Sequence, residues 1–280
     1  MKAIKLNNGV MMPVVGYGVW QISPEECERY VTEALSAGYR SFDTAQAYCN
    51  EEGVGNAIHK SGIPREQLFV TTKVWISNAG DDKAARSIDE SLRKLKTDYI
   101  DLLLVHQPFG DYYGTYRAMQ RAYSSGKVRA IGLSNFYDAR FLDLAENMEV
   151  KPAVVQLETH VFSQQLKMRE LAEAYGTRVM AWSPLARGMN DLFANDTLKE
   201  IGDRYGKDIA QVCLKFLTSE GIIVIPQSTR RDRMASNLML DDFELTDDER
   251  AAIRLLDGGK PLAADFNDPA FAKMLLEYGK

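Results

Sequence analysis

An α/β chain folded as a (β/α)8 TIM barrel with an N-terminal β-hairpin is predicted by three features of the sequence. Short apolar, β-branched runs alternate with longer segments of helical period, and eight such runs suggest eight βα units. No run is followed by G-x-G-x-x-G or G-x-x-x-x-G-K-[ST], which weakens a doubly wound nucleotide-binding sheet. The length of 280 residues is ordinary for a parallel barrel, and no Gly/Ser linker, low-complexity tract or short repeat divides it. One domain over 1–280 is expected.

The hairpin comes first: Ile4 to Met12 carries Asn8-Gly9 between alternating residues, the signal of a two-residue turn, and would plug the N-terminal end of the barrel. Strands are predicted at Val14 to Gly16, Ser41 to Asp43, Phe69 to Lys73, Ile100 to Val105, Ala130 to Ser134, Val154 to Glu158, Val179 to Trp182 and Ile222 to Ile225. Amphipathic helices are predicted at Pro24 to Ala37, Glu51 to Ser61, Asp82 to Leu95, Tyr113 to Ser124, Ala139 to Asn147, Gln165 to Tyr175, Asp208 to Glu220 and Arg231 to Leu240. Several of them stop at glycine, as at Gly38, Gly62, Gly126 and Gly176, which suits a left-handed C-terminal cap.

Composition narrows the function. The net charge of -5 arises from mixed signs without a basic block, which argues against nucleic acid as a partner. There is neither a secretory leader pattern nor a bilayer-spanning run, and Cys27, Cys49 and Cys213 match no metal or disulfide spacing. A cytoplasmic protein is expected. Without heptads or a long apolar patch, a monomer is expected too.

In a βα barrel the polar residues at strand C-termini converge on the face that carries the active site. Asp43, Lys73 and His106 are each the first ionisable residue after an apolar run, and Tyr48 follows in the loop Thr44 to Asn50. Singly, each has a plainer reading, a turn cap or a solvent-reaching amine; together they describe a proton-delivery device. Free tyrosine titrates near about pH 10, and the Lys73 ammonium is expected to lower that value by favouring the phenolate. Asp43 would hold Lys73 charged, and His106 would bond a substrate oxygen beside Tyr48. Such a device serves a developing alkoxide and so calls for a hydride donor. The three histidines lie in different units, so no metal site is expected.

Around these residues the chain resembles the aldo-keto reductases over nearly its whole length. The resemblance is carried by Phe42 to Glu51, Thr72 to Trp75, Leu103 to His106, Ile131 to Phe136, Ser183 to Gly188 and Ile225 to Ser228. In size and layout it is similar to microbial members such as the 2,5-diketo-gluconate reductases. The resemblance implies reduction of aldehydes and ketones with NADPH, bound in extended form without a Rossmann motif. Asp43, Tyr48, Lys73 and His106 would be the catalytic tetrad, with Tyr48 the general acid. Ser134, Asn135 and Gln156 would bond the nicotinamide carboxamide, and Trp182 would stack on its ring. Ser183 and Leu185 would meet the pyrophosphate, Ser228 and Arg233 the adenosine 2'-phosphate, and Asn237 the adenine. Trp20, Trp75 and Phe109 would wall the substrate pocket.

Several positions depart from the family pattern. Gln227 stands where a 2'-phosphate-binding lysine is usual, which raises NADH as an alternative cofactor. Arg230 and Arg231 either compensate or simply begin a solvated helix. Ser236 replaces a glutamate often found near the adenine, and Gln107 replaces a tryptophan common after the histidine. The short tail after Asp257 implies a reduced C-terminal loop. Some relatives are nucleotide-binding regulatory subunits with little turnover, and a tetrad alone does not exclude that role.

Overall fold

The computed structural model describes residues 2–278. A hairpin of β1 (Ala3–Lys5) and β2 (Met11–Pro13) precedes eight parallel strands that lie side by side in chain order. These are β3 (Tyr17–Gly18), β4 (Ser41–Asp43), β5 (Phe69–Val74), β6 (Leu102–Val105), β7 (Ile131–Ser134), β8 (Val154–Glu158), β9 (Arg178–Trp182) and β10 (Ile223–Val224). The segment predicted as the first strand, Val14 to Gly16, instead closes the barrel. The Gly16 N–H donates to the Val224 carbonyl at 2.8 Å, and the Val224 N–H donates to that of Val14 at 2.9 Å. Regular pairing with β4 begins only at Tyr17. The seam leaves no room for a side chain: a Cβ on Gly16 would lie 2.9 Å from the Ser41 hydroxyl oxygen, and one on Gly18 3.0 Å from the Ile225 carbonyl oxygen.

The predicted helices form, α1 (Pro24–Ala37) at its predicted bounds and the next five with one or both ends shifted by a residue: α2 (Glu51–Lys60), α3 (Asp81–Leu95), α4 (Tyr112–Ser124), α5 (Asp138–Asn147) and α6 (Leu166–Ala174). Three helices went unpredicted: α7 (Asp196–Tyr205), before α8 (Ile209–Ser219) and α9 (Arg231–Ser236), then α10 (Asp247–Arg254) and α11 (Pro269–Tyr278). α1 shows why the prediction works where it does. Pro24 opens it, Glu25 and Glu26 sit in its first turn, Cys27, Val31, Ala34 and Leu35 are buried, and Gly38 ends it at φ 113°.

Two apolar cores result. The larger lies between the helices and the outer face of the sheet. The smaller fills the barrel interior, where Leu6 and Met12 of the hairpin pack with Phe69, Leu102, Leu104, Val154 and Met180. The plug is therefore present, but its turn is not the two-residue type. The Leu6 N–H donates to the Val10 carbonyl, leaving Asn7, Asn8 and Gly9 as a three-residue loop with Gly9 at φ 88°. Asn7 and Asn8 also donate to the Pro152 and Arg129 carbonyls, which fasten the hairpin to the barrel floor. The open end is thereby the opposite one, where strands β4 to β9 finish.

Candidate active site

Strand ends bring the first three residues together. Lys73, fully buried in β5, donates to Asp43 Oδ1 at 2.5 Å, to the Thr44 carbonyl at 2.9 Å and to the Tyr48 hydroxyl at 3.4 Å. The loop that presents Tyr48 is tied at both ends. Thr44 donates to the Asn50 side-chain carbonyl at 2.7 Å, and the Asn50 amide donates to the Val19 and Ile22 carbonyls. Gln46, in the turn before Tyr48, accepts from the Trp75 N–H and the Asn78 amide. His106, just past β6, stands edge-on to Tyr48 and to Trp75, with ring centroids 5.6 and 4.9 Å away. Its Nδ1 is buried without a partner. A bare acceptor there is less costly than an orphaned N–H, which favours the proton on Nε2.

Electrostatics refine the expected role of Lys73. Burial removes water from the Tyr48 phenol and raises its pKa above the ordinary value, while the Lys73 ammonium pulls it back only part of the way. The expectation of a net lowered phenol is thus corrected. Burial also opposes charge on Lys73, but the Asp43 carboxylate outweighs it and the ammonium pKa is raised. Burial, with the Lys73 charge behind it, holds His106 well below its usual range and therefore neutral near pH 7. The result is a protonated phenol beside a fixed cation and a neutral imidazole.

A cavity of about 720 Å³ opens above these groups, lined by Tyr48, His106 and Asp43, by Ser134, Asn135 and Gln156, and by Trp182, Ser183, Leu185 and Gln227. Trp182 donates to Asn135 Oδ1 at 2.8 Å. The Asn135 amide in turn has only long contacts, 3.2 Å each, to the His106 carbonyl, Gln107 and Ser134. Gln156 donates to Asp43 Oδ2 at 2.8 Å. Asn135 (φ 64°) and Ser183 (φ 51°) both take the left-handed conformation just past β7 and β9, a strain that recurs where strand ends turn into a site. Amide and hydroxyl groups at the floor with an indole beside them fit a carboxamide-bearing aromatic ring, which is the chemistry of a nicotinamide.

The other predicted residues are placed unevenly. Trp20 and Trp75 line the cavity, whereas Phe109 does not: it meets the Arg140 guanidinium 5.5 Å from its ring centroid, a correction to its expected role. Ser228, Arg233 and Asn237 lie outside the cavity, near the start and end of α9. Arg230 is paired with Asp232 at 2.5 Å and Arg231 with Glu33 at 3.8 Å, while Arg233 forms no ion pair among the described residues. The tail after Asp257 also contributes to the site. Ala264, Phe266, Phe271, Met274, Leu275 and Tyr278 form one wall of the cavity. Arg187 was also missed as a site residue. Its guanidinium lies over the Trp20 ring at 4.3 Å and near that of Trp182 at 5.4 Å, adding positive potential at Tyr48.

Fold and site together describe a barrel enzyme whose cavity floor carries a phenol, an ammonium and an imidazole beside amide and indole side chains. The model of the aldo/keto reductase family matches residues 5–257, and the chain belongs to that family. Its activity is accordingly nicotinamide-dependent carbonyl reduction. Glyoxal reductase of Bacillus subtilis is 40% identical over 255 residues, covering 90% of this chain and 92% of that protein. Methylglyoxal reductase DkgA of Escherichia coli K12 is 38% identical over 265 residues, 94% of this chain and 96% of the relative. A crystal structure of a Gox0644 mutant in complex with NADPH superposes with a TM-score of 0.90 at 35% identity, covering 95% of this chain and 97% of that one.

Proposed function

We propose that this protein reduces small reactive aldehydes and dicarbonyls with NADPH, using Tyr48 as the proton donor. The observation that carries the reading is the row Asp43, Lys73, Tyr48, its first two members buried and the phenol half-buried, with His106 edge-on to the phenol at the cavity floor. The bound cofactor supplies the hydride. The neutral His106 N–H and the Tyr48 hydroxyl converge on the carbonyl oxygen, which orients the carbon toward the floor. As negative charge grows on that oxygen, the Tyr48 proton moves to it, because an alkoxide is a stronger base than a phenolate. Lys73 stabilises the phenolate left behind, and Asp43 keeps Lys73 charged and aimed. Ser134, Asn135 and Gln156 hold the carboxamide, with Trp182 against the ring.

The substrate class rests on the relatives named glyoxal reductase and methylglyoxal reductase. For the cofactor, Arg233 supports NADPH: as the cation of its helix without an ion-pair partner among the described residues, it suits the 2'-phosphate despite Gln227. Ser183 and Leu185 would meet the pyrophosphate and Ser228 and Asn237 the adenosine. Three free cysteines support a cytoplasmic setting, and among the described residues no helix is long and apolar enough to cross a membrane. A monomer is the simplest assembly that serves this site.

Replacing the phenol tests the reading. Tyr48→Phe is expected to bind NADPH within about twofold of the parent, by cofactor fluorescence, while kcat falls by about 10²–10⁴. Near-normal turnover would sink the assignment.

A further inference from the structure

Glu158 ends β8, two residues past the cavity-lining Gln156, and is fully buried, yet the sequence patterns gave it no role. It accepts from the backbone N–H groups of Leu262 at 2.6 Å and Ala263 at 2.8 Å through Oε1, and from that of Ala264 at 3.3 Å through Oε2. His160, also fully buried, stands 3.1 Å from the same Oε1. The Phe162 N–H donates to His160 Nδ1 at 3.2 Å, so the neutral ring carries its proton on Nε2 and donates it to Glu158. Burial alone would raise the carboxyl pKa, but His160 and the tail amides outweigh it, so the group stays ionised.

The segment held in this way continues directly into the cavity wall. Phe266 stacks near Tyr137, meets Phe271 edge-on and accepts from Arg140, and α11 then runs to Tyr278, whose ring reaches Trp75. α11 itself has no fully buried residue, so apolar burial on its own gives it weak anchorage. Three amides on one ionised carboxylate are the stronger tie.

We propose that Glu158, oriented by His160, is a positioning residue that holds the C-terminal segment over the cavity and thereby sets which carbonyl compounds fit. The proposal rests on the cavity being the catalytic site, and it names a specificity determinant for that site. Glu158 does not line the cavity; it acts through Leu262, Ala263 and Ala264. In Glu158→Gln one carboxylate oxygen becomes an amide that faces N–H donors and can no longer accept from them.

The test uses the full-length chain with hydrogen exchange and steady-state kinetics on a small dicarbonyl and a bulky aromatic aldehyde. Glu158→Gln is expected to speed exchange of the amides from 259 to 278 by about tenfold or more, with β8 and β9 unchanged. KM for the bulky aldehyde should rise about fivefold, while kcat/KM for the small dicarbonyl and the NADPH Kd stay within about twofold. Unchanged tail exchange, or equal KM shifts for both substrates, overturns the proposal. Should Glu158→Gln fail to fold, Ala263→Pro removes one donor from the tail side and leaves the barrel untouched. It must then reproduce the same tail exchange and KM split, and its failure to do so is equally decisive. Because exchange does not depend on turnover, the anchor can stand even if the Tyr48 assignment falls, and the reverse.

Discussion

At the ends of β4 and β5 Asp43 and Lys73 are buried and bonded to each other, whereas around α9 the groups proposed to select the cofactor, Gln227, Arg230, Arg231 and Arg233, are exposed. The first cluster has its geometry before any ligand arrives, since Lys73 is held by Asp43, Thr44 and Tyr48 together. The second has charges that pair with nearby carboxylates or remain in solvent. Preorganised charge in a dry site acts strongly, and exposed charge is screened by salt. On the proposed roles, the interior fixes the reaction and the choice of cofactor rests with a rim that single substitutions would retune.

The largest effect expected from this contrast is in the interior. Lys73→Met leaves the Asp43 carboxylate buried without its cation, which should cost about 3–5 kcal/mol in denaturant unfolding and reduce turnover at least as far as Tyr48→Phe. A variant as stable as the parent would show that the cluster is not the fixed unit described. Of intermediate size is the rim. Arg233→Ala should weaken NADPH about tenfold and leave NADH unchanged, with the gap narrowing at high salt. Arg230→Ala and Arg231→Ala should stay within about twofold, because both side chains are already paired. A larger loss at Arg230 or Arg231 than at Arg233 would reverse the assignment of the phosphate contact.

The smallest effect concerns pH. Reduction needs the Tyr48 proton, so the rate falls only as pH rises through the phenol pKa, which burial places above the ordinary value. His106 is already neutral, so no inflection is expected between about pH 6 and 8. Arg187 stabilises the phenolate, and Arg187→Ala should move the alkaline limb upward in a kcat profile. A downward shift would place its charge elsewhere.

The cluster of Asp43, Lys73 and His106 was legible because each is the first ionisable residue after a strand run, and barrel topology alone gathers strand ends; Tyr48 was legible only as a loop residue close behind Asp43. Helices with a buried apolar stripe, such as α1 and α8, were legible for the same kind of reason. α7 and α10 were not, since they bury few apolar residues, Leu198 and Ile201 in one and Ile253 in the other, among many charges. α10 did carry a signal: Thr246 and Glu249 form a capping box. The Glu158 anchor had none. Its partners are backbone amides more than a hundred residues away, and an amide leaves no mark in a side-chain pattern. Phe109 failed for the converse reason, because an apolar residue near a catalytic motif can face either side of its loop.

The hairpin that seals the barrel floor has a consequence for traffic. With Leu6 and Met12 filling the interior from below, the cavity is a cup rather than a tunnel. Whatever rests against Asn135, Gln156 and Trp182 lies beneath whatever lies between Trp20 and the C-terminal wall. The deeper guest has to arrive first and leave last, so the order of binding and release is imposed by shape before any affinity is considered.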